Sequence, residues 1–256
     1  PGQVITAIKA LGFCKVVEAA LGADMVAYAE AAELAERGFL TSSCCPAFVS
    51  LVKKQYPTLA ENVSHNMSPM ATIAKRIKEL DPGAKTVFIG PCTAKKAEFQ
   101  LPEVHKYVDC VLTFEELQAL FDSRDLDVAS MEESQLNDAS GFGRIFAHCG
   151  GLATAAAEAL KEQGSDFDLK PISCDGLEEC RAALLKASKG KLDANFVEGM
   201  ACIGGCVNGA GNMVHAEANR VKVDAFSRQA QMKSIKDSLD TAVSEFDPVV
   251  ADRGEQ

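Results

Sequence analysis

Residues 197–212, VEGMACIGGCVNGAGN, dominate the interpretation of this sequence. Cys202 and Cys206 lie four residues apart in a glycine-rich run, separated in part by Gly204 and Gly205. Each glycine costs a helix about 1 kcal/mol relative to alanine, so the run is not typical of a core helix. It suggests a segment whose backbone approaches a bulky group bound through sulfur.

Strand-like runs precede this segment and two other cysteine sites. NFVEGMAC (195–202) leads to Cys202, while Cys92 follows the apolar run of KTVFIGPC (85–92). Cys45 ends a short strand or loop and is followed by Pro46, where a helix is predicted to begin. Ligands of open α/β sheets bind at the carboxyl ends of the strands, so we expect the three cysteine sites to converge.

Helices are predicted between these strands. Residues 2–36 are expected to be helical up to a stop at Gly38, and Ser68-Pro69 begins another helix that Pro82-Gly83 ends. Thr113 and Glu116 form a capping-box pattern after a short strand. Two further segments complete the pattern: residues 143–164 are predicted as strand, glycine turn and helix, and residues 225–245 as helix. The alternation predicts an α/β fold with largely parallel sheets.

Composition excludes several classes of protein. The 256 residues carry a formal net charge of −10, whereas a nucleic-acid-binding protein presents a basic face. No run approaches the roughly 20 apolar residues that a membrane helix needs, so no membrane insertion is expected. Ten cysteines without an export signal indicate a reducing, cytoplasmic location, where cysteine clusters bind metals or perform redox chemistry.

Cysteine spacing separates three kinds of metal site. Structural zinc sites favour C-x2-C pairs, and the sequence contains none. The radical-SAM pattern C-x3-C-x2-C is excluded because its third position is Gly209. Cys202 and Cys206, at i and i+4, could share one helix face, and two single cysteines would complete the four thiolates of a 4Fe-4S cluster.

Three stretches together resemble the cysteine signatures of the catalytic domain of iron-only (diiron) hydrogenases. They are TSSCCPAF (41–48), IGPCTAKKAEF (89–99) and EGMACIGGCVNG (198–209). The resemblance implies a single domain over residues 1–256, with two lobes of mainly parallel sheets flanked by helices. The metal cluster would lie in the cleft between lobes that divide near residue 84. The amino-terminal part of the family's domain and its ferredoxin-like modules are not seen in this sequence.

The resemblance also implies a cofactor, the H-cluster. This is a 4Fe-4S cubane joined by one cysteine to a diiron subsite with CO, cyanide and a bridging dithiolate amine. By position, Cys206 would be the bridging ligand. The four implied cubane ligands are Cys45, Cys92, Cys202 and Cys206.

Further site residues follow from the same resemblance. Cys44 matches the thiol that donates protons, and Lys95 matches the lysine that hydrogen-bonds a cyanide. Met200 matches a methionine packed against the bridging CO. Pro91 and Gly90 would line the diiron site, where Gly90 replaces a methionine of well-studied members. Other departures are an extra serine at position 43, Ala210 for glycine and Asn212 for glutamine.

A proton path is implied on the alanine-rich helix. Glu30, Glu33 and Arg37 sit at i, i+3 and i+7 on one helix face, and Ser64 falls where the family places a hydroxyl. Spacing alone favours an ordinary surface pair between Glu33 and Arg37. With Cys44, these groups form a chemically sensible relay in the order Arg37, Glu33, Ser64, Glu30, Cys44.

The predicted reaction is the reversible reduction of protons, 2H⁺ + 2e⁻ ⇌ H₂. The implied partners are ferredoxin or a linked iron–sulfur module as electron carrier, and the hydrogenase maturation proteins. Two alternatives stay open: a hydrogen or redox sensor with slow turnover, suggested by Gly90, and a hydrogenase-related iron–sulfur assembly protein. Turnover per cluster distinguishes the first alternative, and uptake of a synthetic diiron cofactor distinguishes the second.

Overall fold

The computed structural model describes residues 2–245. Helix α2 (Ala19–Arg37) is central, because four other helices pack against it: Pro69–Leu80, Gly141–Ile145, Gly151–Glu162 and Ile235–Glu245. Its alanines allow close approach, and its buried side includes Leu21, Val26 and Leu34. Gly38 ends the helix in the left-handed region (φ 77°), where its N–H donates to the Leu34 carbonyl at 2.8 Å. Glycine is favoured at such a C-terminal cap because it has no Cβ.

The five strands of the described chain are short and form two sheets. They are β1 (Leu40–Thr41), β2 (Val87–Ile89), β3 (Cys110–Leu112), β4 (Pro171–Asp175) and β5 (Phe196–Met200). One sheet has the order β1-β5-β4 and the other pairs β2 with β3. All these pairings are parallel, and every residue of the central strand β5 is buried. The predicted α/β fold with parallel sheets is therefore confirmed.

The remaining helices flank these sheets. They are α1 (Gly2–Ala10), α3 (Pro46–Gln55), α4 (Pro69–Leu80), α5 (Lys95–Glu98), α6 (Pro102–His105), α7 (Phe114–Ser123), α8 (Gly141–Ile145), α9 (Gly151–Glu162), α10 (Leu177–Ser188), α11 (Ala218–Ser227) and α12 (Ile235–Glu245). Short 3-10 turns occupy Pro57–Asn62, Val128–Ser130 and Cys206–Asn208. No helix within residues 2–245 is long and apolar enough to cross a membrane.

Two predicted helix starts are confirmed with their capping contacts. The Ser68 hydroxyl accepts a hydrogen bond from the Ala71 N–H ahead of α4. Thr113 and Glu116 complete a reciprocal capping box at α7, with distances of 3.2 and 2.8 Å. Local sequence was sufficient here because each contact spans three residues.

Other secondary-structure predictions were wrong. The strand predicted near residue 144 is helix α8, because Ser140 caps the N–H groups of Phe142 and Gly143. Gly143 packs so closely against the Ala20 carbonyl that a Cβ would overlap it, and this closeness sets the helix against α2. Strand β4 was not predicted. The helix predicted over residues 2–36 is interrupted at residues 11–18, and the helix predicted over residues 225–245 is interrupted at residues 228–234, which separate α11 from α12.

The sheets do not divide the chain at residue 84. Strand β1 precedes that position, whereas β4 and β5, which complete its sheet, follow it. The chain leaves the first sheet, forms β2 and β3, and returns. The carboxyl ends of β1, β2 and β5 lead directly to the cysteine segments.

Candidate metal centre

Four cysteines lie at the ends of strands from both sheets. Cys45 precedes α3 just after β1, Cys92 follows β2, and Cys202 and Cys206 follow β5. Burial raises the pKa of the free Cys206 thiol to about 12, and nearby Cys45, Cys92 and Cys202 also affect it. Burial likewise raises the pKa of Cys202, with further increases from Cys45 and Cys92. The four thiols are therefore close enough to interact, as the strand ends predict.

The arrangement differs from a single-ion site. Within residues 2–245, no three His, Cys, Asp or Glu side chains are grouped closely enough to hold one metal ion. A cubane makes a different demand, because each of its four cysteines binds a separate iron. Burial and mutual repulsion disfavour the thiolate forms of these cysteines. A bound metal cation would stabilise the thiolates as their protons are released.

The segment between Cys202 and Cys206 is a turn, so the predicted shared helix face was wrong. Gly204 and Gly205 have φ values of 84° and 90°, a left-handed conformation that interrupts any α-helix. The Gly205 N–H donates to the Cys202 carbonyl at 3.0 Å, and Cys206 then begins a 3-10 turn. The glycine pair therefore shapes the cysteine spacing through its backbone angles.

This cysteine turn is held by the residues before α9. The Cys149 N–H donates to the Gly204 carbonyl at 3.3 Å, and the Val207 N–H donates to the Ala147 carbonyl at 2.8 Å. A Cβ on Gly205 would lie 2.7 Å from the Cys149 nitrogen and from the His148 Cα. Only glycine fits this contact without moving backbone.

Replacing Gly205 by alanine should impair both stability and cluster loading. Gly190→Ala is a matched control, because Gly190 also has a positive φ but a Cβ added there would meet no atom within 4 Å. The control should cost about 1–2 kcal/mol from its backbone angle alone. Gly205→Ala should cost about 1–3 kcal/mol more from overpacking, with an added penalty because its φ and ψ of 90° and −163° are adopted almost only by glycine. Denaturant unfolding and iron content per chain measure the two effects; equal losses in both variants would contradict the steric argument.

The second cysteine segment orients Lys95 toward the first. Lys95 is 7% exposed, and its Nζ donates to Glu98 Oε2 at 2.7 Å and to the Cys44 carbonyl at 3.2 Å. The Pro91 carbonyl accepts the Gly211 N–H at 2.9 Å, which joins the second segment to the chain just after the third. Lys95 thus brings a cation, balanced by Glu98, beside the first cysteine segment.

Gly90 lies beside an aromatic ring, whereas Met200 lies in the buried core. A Cβ on Gly90 would lie 2.8 Å from the Phe88 ring, so this aromatic ring takes up part of the space beside the glycine. Met200 ends β5 with 2% exposure and belongs to the same buried cluster as Cys44, Leu40 and Phe196.

Hydrogen bonds join three of the five residues of the implied proton path, Arg37, Glu33 and Ser64. Arg37 Nη1 donates to Glu33 Oε1 at 2.7 Å, and the Ser64 hydroxyl donates to Glu33 Oε2 at 2.9 Å. Burial favours a higher pKa for Glu33, but hydrogen bonds from Arg37, the His65 N–H and Ser64 outweigh it and lower the pKa. Arg37 and Glu33 form the partly exposed end of the path.

Glu30 and Cys44 form the buried end. Glu30 is 0% exposed, and within the described chain neither carboxyl oxygen has a partner at hydrogen-bond distance. Burial raises its pKa to about 8, although nearby Ser64 partly opposes the shift. Burial, followed by the charge of Glu30, raises the pKa of Cys44 well above its usual value. Both groups therefore favour their protonated forms.

Two carboxylates beside the cysteine turn were missed from the sequence. Glu198 is 0% exposed and accepts hydrogen bonds from the Gly150 and Ala153 N–H groups and the Ser173 hydroxyl, at 2.8–3.1 Å. It thereby caps α9. Asp175 Oδ1 accepts the Gly204 N–H at 2.5 Å. A charged residue inside the apolar strand FVEGM was the available signal for Glu198, whereas nothing local marked Asp175.

Two cavities lie away from this centre. One of about 740 Å³ lies between Phe114, Phe121, Met213 and Phe226, and another of about 380 Å³ lies beside β2. Among the described residues, none of the four cluster cysteines lines either cavity. Cavity size is therefore a poor guide to the chemistry, which follows the strand ends.

Comparison with known proteins agrees with this geometry. Residues 1–210 match the family described as iron only hydrogenase large subunit, C-terminal domain. Iron hydrogenase 1 from Clostridium pasteurianum is 31% identical over 82% of this chain and 45% of its own length. The chain thus spans about half the length of this relative. A variant of the FeFe-hydrogenase HydA1 from Chlamydomonas reinhardtii superposes with a TM-score of 0.74 at 21% identity, covering 96% of this chain and 83% of that one.

A second kind of relative is also similar. The cytosolic Fe-S cluster assembly factor NAR1 from Kluyveromyces lactis is 34% identical over 93 residues, which cover 36% of this chain and 20% of that protein. The match to the hydrogenase domain is much longer, extending over all three cysteine segments. On this evidence, the chain belongs to the iron-only hydrogenase family.

Proposed function

We propose that the protein is an iron-only hydrogenase that catalyses the reversible reduction of protons to H₂ at an H-cluster. The chemistry of the donor set fits this cofactor, because four interacting thiols from three segments can each bind one iron of a cubane. Cys206 would also bridge to the diiron subsite. When bound, the H-cluster supplies the electrons and the iron site at which H₂ forms or splits. The ligands would be Cys45, Cys92, Cys202 and Cys206.

Other residues would orient the diiron subsite and its ligands. The Lys95 ammonium can donate a charge-assisted hydrogen bond to an anionic cyanide while Glu98 holds its position. Buried Met200 would exclude water from the diiron subsite. Pro91 and Gly90 would line the same pocket, with the Phe88 ring occupying part of the space that a methionine would fill.

The observation that carries the proposal is the hydrogen-bonded series Arg37, Glu33 and Ser64, which leads inward to the buried and interacting pair Glu30 and Cys44. Ionised Glu33, paired with Arg37, can accept a proton from solvent. Ser64 lies between the two carboxyls, donating to Glu33 and facing Glu30. Burial keeps Glu30 and Cys44 protonated, so Glu30 can return a proton to Cys44 Sγ once the thiol has given up its own. A relay that ends at a thiol adjacent to a cluster ligand suits proton delivery more than cluster storage.

Anaerobic reconstitution with iron and sulfide, followed by a synthetic diiron cofactor, tests the proposal. We expect infrared bands of CO and cyanide ligands, together with H₂ production from a chemical reductant. Bands without turnover would instead favour a hydrogen or redox sensor. The heat-denatured chain, treated identically, controls for cofactor free in solution.

The 93-residue similarity to NAR1 favours one alternative, an iron–sulfur assembly factor. Such a protein needs the cluster cysteines but neither a diiron subsite nor the relay ending at Cys44. A chain that binds a cubane, takes up no diiron cofactor and transfers iron–sulfur clusters to an apo-acceptor would establish this alternative and overturn the hydrogenase.

The hydrogenase proposal includes partners and a location. Ferredoxin or a linked iron–sulfur module would supply electrons to the cubane, and maturation proteins would install the diiron subsite. The net negative charge gives no support to nucleic-acid binding, and the ten cysteines suit the reducing cytoplasm.

A further inference from the structure

The cysteine turn carries an apolar side chain at the surface. Ile203 lies next to Cys202 in the chain and is 76% exposed. Its side chain packs against Gly176 in the β4–α10 connection, so closely that a Cβ added to Gly176 would lie 3.0 Å from Ile203 Cγ1. Leu177, the first residue of α10, is also exposed. Large exposed apolar side chains grouped beside a metal centre are typical of a contact site for another protein.

Acidic residues lie on both sides of Gly176 and Leu177 in the chain. Asp175 precedes the Gly176 contact and binds the Gly204 N–H of the cysteine turn. Glu178 and Glu179 follow Leu177 in the first turn of α10, and both are exposed. Residues 175–181 hold these three acids and one base, Arg181. We name the group Asp175, Leu177, Glu178, Glu179 and Ile203 the acidic rim patch.

From this patch we infer the electron-entry surface of the protein and the kind of partner that it fits. The patch would dock an electron-transfer protein whose own contact face is basic around an apolar centre. This inference rests on the proposed function, because it requires a cubane at Cys202. Ile203 is one peptide bond from that ligand, so a partner seated on Ile203 would come close to the cluster. Charge complementarity of this kind accelerates association and selects the partner.

The proposed reaction between the two proteins is the transfer of one electron. The reduced cubane loses one electron to the partner's oxidised metal centre, or gains one in the opposite direction, and no bond forms or breaks. Attraction between the acidic rim and a basic face would raise the association rate at low salt. Screening should remove this gain, because the Debye length falls from about 30 Å at 0.01 M salt to about 3 Å at 1 M.

The test uses the whole chain loaded with the cubane alone and reduced with dithionite, from which excess reductant is removed. Stopped-flow mixing with basic cytochrome c or acidic cytochrome b5 follows reduction of the ferric haem. We expect the second-order rate constant with cytochrome c to fall about tenfold or more between low and high salt. With cytochrome b5, the rate should be lower and rise or stay constant as salt is added.

Paired variants separate the patch from the overall negative charge of the chain. Glu178→Gln/Glu179→Gln should lower the low-salt rate with cytochrome c several-fold. The control is Asp166→Asn/Asp168→Asn, which removes the same number of negative charges. These two residues precede β4 and lie at the opposite end of that strand from Asp175. Ile203→Ser should lower the rate at every salt concentration, because it removes the apolar centre.

Equal rates for the two double variants, or an Ile203→Ser rate equal to that of the unmodified chain, would overturn the inference while leaving the proposed function intact. A chain that cannot be loaded with a cubane would instead overturn the proposed function, and the inference with it. Iron content and the absorbance of the cubane before mixing distinguish these two failures.

Discussion

Cys44→Ala should bind the cubane and the diiron cofactor normally but lose nearly all H₂ turnover. The Cys44 thiol is buried, keeps its proton and lies beside Glu30 at the inner end of the relay. Alanine cannot exchange a proton. Because positioned acid–base groups contribute about 100- to 10,000-fold to a rate, we expect a loss in that range. H₂ production per diiron site, quantified from the infrared bands, measures it.

Cys174→Ala is the matched control for Cys44→Ala. Cys174 is 1% exposed, lies in the sheet that ends at the cysteine turn, and is outside the relay. Its replacement removes the same buried volume and should leave turnover within a few-fold of the original. If Cys44→Ala produced H₂ as fast as this control, Cys44 would have no part in proton delivery.

Glu30→Gln should reduce turnover and also change how stability depends on pH. The amide keeps the shape of the side chain but cannot carry a proton, so turnover should fall about 100-fold or more, with unchanged infrared bands. The sign of the stability effect follows from the raised pKa. Folding moves the Glu30 pKa from 4.5 to about 8, so the folded chain holds this proton more tightly than the unfolded chain.

The stabilisation from that bound proton is complete below pH 4.5 and is lost as the pH rises toward 8. The shift corresponds to about 5 kcal/mol in the free energy of unfolding. Metal-free Glu30→Gln lacks this titration, so its free energy of unfolding should fall less between pH 5 and 9. Asp24, whose pKa burial raises to about 6, titrates in both proteins and cancels from the comparison. Parallel pH curves from denaturant titrations would contradict the burial argument.

Local sequence predicted the features that depend on short-range contacts. The caps at Ser68 and Thr113 were correct because each is formed with a residue three positions away. The ends of β1, β2 and β5 preceded cysteines as predicted, because each apolar run stops a few residues before a cysteine. The strand predicted near residue 144 was wrong because Ser140 caps a helix there and because Gly143 packs closely against Ala20 of α2.

The spacing of Cys202 and Cys206 shows the limit of periodicity. An i, i+4 pair suits a helix, but Gly204 and Gly205 adopt left-handed angles that form a turn. The contact of Gly205 with His148 and Cys149 favours that turn, and these residues lie more than 50 positions away in sequence. No local pattern contains this information, because the approaching backbone comes from another element.

The sequence by itself determined the family and the alternating α/β order, because cysteine signatures and apolar periodicity are written along the chain. Only the tertiary structure decided which charges lie together. Among residues 2–245 it left Glu30 buried without a hydrogen-bond partner, placed Ser64 against Glu33, and set Asp175 against the cysteine turn. These effects depend on the removal of water and on neighbours distant in sequence. Burial and distance, which determine the pKa of a carboxyl, exist only once the chain has folded.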